Sequence, residues 1–343
     1  MEKLDVKFVE KAQQDISQAK NIVIVSHKNP DGDAIGSGLA LYHLLKNKNK
    51  NVVFVVPNQL PVYLNWMNAY AEILNFELNK EKGLEILDQA DLFLMLDFNH
   101  RSRLSDMGDK IINSKAAKIL IDHHPNPEEI AELIYSRTSA SSTAEMVYEF
   151  IESVFSLEDI NKTIAECLFV GIMTDTGSFS YNSSNPITFG IVSNLLKREI
   201  DKDYITDKIY NNYSESRLRL LGHAINTNLR VLPEYQAAYI FLSKKDLENY
   251  NFQPGDTEGF VNYPLSIHNV VFSAIFIEKE GVTKCSFRSK GSFPANIVSK
   301  ENFNGGGHIN AAGGESKLGL SETINKFEEI LPKYEKFLKQ NKS

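Results

Sequence analysis

The chain has 343 residues, 42% hydrophobic and 24% charged, enough for two domains with a sizeable core in each. Lys and Arg total 37 against 44 Asp and Glu, a formal net charge of −7, which argues against a protein that wraps long nucleic acid. That balance leaves room for a short anionic substrate held by a few local cations.

Cys167 and Cys285 are the two cysteines, far apart and without metal-ligand spacing, so they read as reduced thiols rather than a disulfide framework. The first residues lack the basic and apolar regions of a signal peptide, and no apolar run approaches the ~18 residues of a membrane span. The expected location is the cytoplasm, with no membrane partner.

In chain order, an amphipathic helix over 6–19 leads into a buried strand over 21–26. The loop His27-Lys28-Asn29-Pro30-Asp31-Gly32-Asp33 follows, with Pro30 and Gly32 marking a tight turn. The helix after it runs to about residue 46, with Asp33 expected as its N-cap. A second strand covers 51–56, and 61–79 reads as mostly helical. A third strand, 91–96, ends at Asp97, and a fourth, 118–121, ends in Asp122-His123-His124. Ser141-Ser142-Thr143-Ala144-Glu145 opens a helix, and its hydroxyl-then-Glu spacing is read as a cap. A further helix from about 161 ends near Asp175. Phe179 and Tyr181 beyond it are read as core rather than as a base-stacking platform. Alternating strands and helices predict a doubly wound, mainly parallel sheet covered on both faces.

From 186 to about 229 the pattern is helical and charged. Beyond it, strands over 237–242, 270–277 and 284–288, with Glu280-Gly281 as a hairpin turn, indicate a smaller α/β domain with a mixed sheet. This half ends in Asn304-Gly305-Gly306-Gly307-His308 and an amphipathic helix from about 321. The expected division is 1–200 for the first domain, 201–230 for a helical connector and 231–343 for the second domain.

His27, Asp31, Asp33, Asp97, His123, His124 and Asp175 all fall at ends of strands or helices, where open α/β sheets place their ligand crevice. Imidazole and carboxylate without thiolate suit manganese or a similar divalent ion. Seven candidates exceed the needs of one ion, and the four aspartates among them carry −4, matching two divalent cations. Such a pair activates water and neutralises charge in phosphoester hydrolysis, with His124 left to bind a phosphoryl oxygen or protonate the leaving group. Asp122 is read as the carboxylate that orients a ligating imidazole. Gly305, Gly306 and Gly307 would let backbone N–H groups approach an anion, with Arg288 and His308 adding side-chain donors.

Taken together, these residues resemble the DHH phosphoesterase superfamily. His27-x-x-x-Asp31-x-Asp33, Asp97, Asp122-His123-His124 and Asp175 are similar to its four motifs, in order. Arg288-Ser289 and Gly305-Gly306-Gly307-His308 resemble the DHH-associated C-terminal domain, and the whole is similar to the oligoribonuclease and pAp phosphatase (NrnA-type) members. The resemblance implies that His27, Asp31 and Asp97 hold one manganese. Asp33, Asp97, His123 and Asp175 would hold the other, with Asp97 bridging. His124 would face the scissile phosphate, and Arg288, His308 and the glycine run would hold the far end of the substrate. One departure stands out: Asn304 takes the place of a first family glycine, and Asn tolerates positive φ.

The implied activity is hydrolysis of short single-stranded RNA or DNA to mononucleotides and of pAp to AMP. Alternatives are a cyclic or linear dinucleotide phosphodiesterase, an exopolyphosphatase-like enzyme, and, outside the enzymes, a nucleotide-binding module without catalysis. The expected oligomeric state is a monomer or a homodimer.

Overall fold

The structure, a computed structural model, describes residues 4–339. It divides into two compact units, 1–212 and 213–343. In the first, β1 (Asn21–Val25), β2 (Asn51–Val56), β3 (Leu74–Asn75), β4 (Leu92–Leu96), β5 (Ala117–Asp122) and β6 (Leu133–Ser136) form one sheet in the order β3-β2-β1-β4-β5-β6. Every pairing in it is parallel. Val, Ile, Leu, Phe and Met fill β1 and β4, because a sheet covered on both faces leaves no polar side.

The helices of this unit are α1 (Val6–Gln18), α2 (Gly32–Asn47), α3 (Lys80–Gln89), α4 (Gly108–Ile112), α5 (Thr143–Val154), α6 (Lys162–Asp175), α7 (Pro186–Leu196) and α8 (Lys202–Tyr210). One core joins α1, α2, α5 and α6 to the sheet through residues such as Ile24, Leu39, Phe150 and Phe169. The other, on the opposite face, gathers Val25, Phe93, Met95 and Leu120 with Leu87 and Ile111. The order of strands reverses between β1 and β4, the point at which doubly wound sheets open a crevice beyond their strand ends.

In the second unit, α9 (Glu215–Asn226), β7 (Leu229–Leu232), β8 (Ala237–Leu242), α10 (Lys244–Asn249), β9 (Phe272–Glu278), β10 (Thr283–Ser289), α11 (Ala295–Asn302), β11 (Gly306–His308), β12 (Ala311–Ser316), α12 (Leu320–Ile330) and α13 (Glu335–Lys339) follow. The sheet runs β11-β12-β10-β9-β8-β7, with β8 and β9 parallel and the other pairs antiparallel. One face is sealed by a phenylalanine core, with Phe272, Phe276, Phe287, Phe293, Phe303 and Phe327 all buried. The α/β class, the parallel first sheet and the mixed second sheet agree with the sequence pattern.

Two local expectations are corrected. Residues 61–79 hold only the short turns Val62–Leu64 and Tyr70–Glu72 plus β3, since Pro61 and Ala69 at φ 62° interrupt any longer helix. The N-cap of α2 is Asp31, whose side chain accepts from the N–H groups of Asp33 and Ala34, so Asp33 is one step inside the helix. Among the described residues no helix is long and apolar enough to cross a membrane.

Candidate functional site

Five acids and three imidazoles converge at and beyond the strand ends of the first unit. The turn after β1 carries His27 and Asp31, the start of α2 carries Asp33, and the residue after β4 is Asp97. β5 ends at Asp122, with His123 and His124 next, and Asp175 closes α6. His27 Nε2 lies 3.3 Å from Asp97 Oδ2 and 4.0 Å from Asp31 Oδ2. His123 Nε2 lies 3.5 Å from Asp175 Oδ2, 3.7 Å from Asp97 Oδ1 and 3.9 Å from Asp33 Oδ2. Two donor groups, His27–Asp31–Asp97 and Asp33–His123–Asp175, each have their ligand atoms within 4.8 Å of one another.

Close packing makes this convergence possible. A side chain at Gly171 would put its Cβ 2.5 Å from the Ala144 Cβ and 2.9 Å from Asp33 Oδ1, so glycine there lets α6 approach both α2 and α5. Asp97 adopts φ 66°, a left-handed backbone that Asp visits more readily than most residues but which still costs on the order of 1 kcal/mol. Beyond Asp175, Gly177, Ser178 and Phe179 are also left-handed, at 54°, 55° and 64°. Phe179 is half-buried, its ring between the buried Phe169 and the exposed Phe189, and the Tyr181 ring is half exposed.

Each imidazole is oriented through its other nitrogen. His27 Nδ1 is 2.8 Å from the Lys28 carbonyl, His124 Nδ1 is 2.8 Å from Asp122 Oδ1, and His123 hydrogen-bonds the Ala140 backbone. Asp122 thus orients His124. With Nδ1 directed at the Lys28 carbonyl, His27 turns its buried Nε2 toward the oxygens of Asp97 and Asp31, and Nε2 has no hydrogen-bond partner. A buried ring nitrogen left in that position beside carboxylates is what a cation held between them would satisfy. The donor set of imidazole and carboxylate therefore fits a divalent ion such as manganese.

The electrostatics agree. Burial, then the charges of Asp97, Asp175 and Asp31, push the Asp33 carboxyl well above the usual range, against the pull of His123. Burial also works against Asp97, but His27, His124 and His123 outweigh it and hold that carboxyl well below its usual range. For His123 burial is likewise overcome, here by Asp97, Asp33 and Asp122, and the ring is pushed up.

The remaining sequence candidates lie in the second unit. Arg288 pairs across β10 and β12 with Ala311, which pairs with His308 on β11, so the three share one row and one face of the sheet. Both Arg288 and His308 are half-buried. The glycine run is a hairpin strand rather than an open loop. A Cβ at Gly305 would meet the Gly313 carbonyl at 2.0 Å, and Gly307, at φ 138°, would meet the Ala311 carbonyl at 2.4 Å. Only Gly306 has open space where a side chain would be. Asn304 takes φ 47°, the positive value that its amide side chain tolerates.

One site residue escaped the sequence reading. Thr143, taken there for part of a helix cap, donates its hydroxyl to Asp97 Oδ1 at 2.9 Å and its N–H to Asp33 Oδ2 at 2.6 Å. No local pattern signals it, because its partners lie 46 and 110 residues away.

Comparison with known proteins bears on the same residues. Residues 21–172 match the DHH family N-terminal domain and residues 234–340 match the DHHA1 domain. The chain is 30% identical to the "Probable bifunctional oligoribonuclease and PAP phosphatase NrnA" of Streptococcus mutans, over 90% of this chain and 93% of that one. It is 28% identical to the cyclic-di-AMP phosphodiesterase GdpP of Bacillus subtilis, over 93% of this chain but only 48% of that one. A crystal structure of an exopolyphosphatase-related protein from Bacteroides fragilis superposes with a TM-score of 0.95 at 43% identity, covering 99% of this chain and 100% of that one.

Proposed function

Because the chain belongs to the DHH family of phosphoesterases, metal-dependent hydrolases of phosphoester bonds, we propose that it cleaves short oligonucleotides to mononucleotides and converts pAp to AMP. The observation that carries the reading is Asp97, whose two carboxylate oxygens face the two donor groups separately: Oδ2 toward His27 and Oδ1 toward His123. The Streptococcus mutans relative, matched over nearly its whole length, supports the choice of substrates.

In this reading His27, Asp31 and Asp97 hold one divalent cation, and Asp33, Asp97, His123 and Asp175 hold a second, with Asp97 shared. Manganese there supplies charge neutralisation at the phosphoryl oxygens and acidifies the attacking water. Asp122 keeps the His124 ring in register by accepting from Nδ1, so that Nε2 meets the scissile phosphate or hands a proton to the leaving oxygen. The first unit does the chemistry in the cytoplasm. In the second, Arg288 and His308 take the substrate's far phosphate; in the run Gly305, Gly306 and Gly307, Gly306 leaves open space at its Cβ position while the other two let the strands pack close.

The test is one panel assayed with Mn2+ and again with EDTA: pAp, RNA and DNA of two to five nucleotides, linear and cyclic dinucleotides, and polyphosphate. Phosphate from pAp and mononucleotides from RNA, both lost in EDTA, are expected. Folded protein that leaves both intact while opening the cyclic dinucleotide or shortening polyphosphate would move the substrate class toward the other relatives. Binding of pAp without turnover would make the chain a nucleotide-binding module.

A further inference from the structure

Thr143 hydrogen-bonds two carboxylates of the site at once, Asp33 and Asp97. Its N–H and that of Ala144 donate to the two Asp33 oxygens at 2.6 and 2.8 Å, and its hydroxyl donates to Asp97 Oδ1 at 2.9 Å. The first N–H groups of a helix have no partner within the helix, so the N-terminus of α5 ends on Asp33. The hydroxyl is not required for capping, because Ser142 already caps α5 by accepting from the Glu145 N–H at 3.1 Å.

The segment that presents Thr143 is itself anchored. Glu145 is fully buried. Its Oε2 accepts from Ser141 Oγ at 2.7 Å and from Thr188 Oγ1 at 2.6 Å, while Arg137 Nη2 lies 3.1 Å from Oε1. Arg137 is in turn paired with Glu149 at 2.8 Å, and Glu149 accepts from Tyr135 at 2.5 Å. A carboxylate this buried holds its neighbours in one arrangement, since displacing any donor strands a charge.

We infer that Thr143 is a positioning residue that fixes the separation of Asp33 and Asp97, and that Glu145 is the buried anchor for it. The inference deepens the phosphoesterase reading and rests on it. Two nearly inaccessible carboxylates repel each other, and the Thr143 N–H and O–H offset part of that repulsion while aiming the remaining lone pairs inward.

The experiment compares Thr143→Val, which keeps the N–H and the shape but deletes the O–H donor, with Thr143→Ser, which retains it. Mn2+ isotherms are measured by calorimetry and EPR on the EDTA-stripped full chain, with circular dichroism melts as the control for folding. Thr143→Val is expected to weaken Mn2+ binding about tenfold or more, with a parallel loss in hydrolysis of pAp, and Thr143→Ser to restore both. A folded Thr143→Val that binds Mn2+ as tightly as wild type overturns the inference. If the valine variant does not fold, Thr143→Ala is judged by the same isotherm and the same criterion. Wild-type protein that binds no Mn2+ sinks the functional reading, and this inference with it.

Discussion

Strand β4 is buried at all five positions, whereas β10 alternates between buried and accessible residues along its length. The first pattern belongs to a sheet with two covered faces, so its polar residues are confined to the strand ends, where Asp97 and the Asp122–His124 triplet sit. The second belongs to a strand sealed on one face by the phenylalanine core, while the cluster on the other face gathers on Ile240, Leu242, Ile275 and Ile277 of β8 and β9, so Arg288 lies along β10 itself, on the face opposite the phenylalanines. The first arrangement enforces geometry: Asp33, Asp97 and His123 at its centre are buried and held against mutual repulsion. The second offers a half-accessible face where side chains can adapt to a ligand. Buried convergence suits chemistry, and an accessible row suits grip.

Substitutions sharpen that contrast by the size and kind of loss. The largest is expected from Asp97→Ala, which takes the carboxylate that the two proposed cation sites share. Mn2+ binding measured by calorimetry should collapse and hydrolysis of pAp fall at least about 100-fold. A variant retaining wild-type turnover would break the assignment of Asp97 as the shared group. Next come Arg288→Ala and His308→Ala, each expected to raise KM for pAp and dinucleotides about tenfold while leaving the Mn2+ isotherm alone. If either weakens Mn2+ binding instead, the division of labour between buried convergence and accessible row is wrong.

The smallest effect concerns stability within the second unit. Burial pushes the Asp246 carboxyl up, but hydrogen bonds from Ser243 and His223 prevail and lower it below 3.8. A carboxyl depressed by folding stabilises above its unfolded value, and that contribution is lost as pH falls through the folded value. Asp246→Asn should therefore cost about 1–2 kcal/mol at neutral pH and flatten the decline in stability below about pH 4, read by urea titration across pH. An unchanged acid limb would show that the cluster of Ser243, His223 and Asn228 does not depend on the charge.

Much of the first unit was legible because its signals are local. Apolar runs bounded by turn residues mark β1, β2, β4 and β5, and a solitary acid at each relevant boundary can be read without knowing what it faces. The stretch over 61–79 was misread because Leu64, Met67, Tyr70 and Ile73, which pack on the core, fall three residues apart and so mimic a helical face, although only short turns carry them. Asp31 and Asp33 were exchanged as caps because either acid, two residues apart, satisfies the same pattern. In the second unit the glycine run was read as backbone left bare for an anion, yet a Cβ at Gly305 or Gly307 would meet the backbone of Gly313 or Ala311.

The amino-acid sequence alone determined the α/β alternation, the two sheets and the set of acids and imidazoles at the strand and helix ends, since each follows from periodicity and turn chemistry over a few residues. Tertiary structure decided which oxygen faces which nitrogen, the left-handed backbone at Asp97, and the placing of Thr143 between two carboxylates 46 and 110 residues away. The Thr143 contact with Asp33 accompanies the close approach of α2, α5 and α6 at Gly171, and a contact between distant segments leaves no period in the chain that makes it.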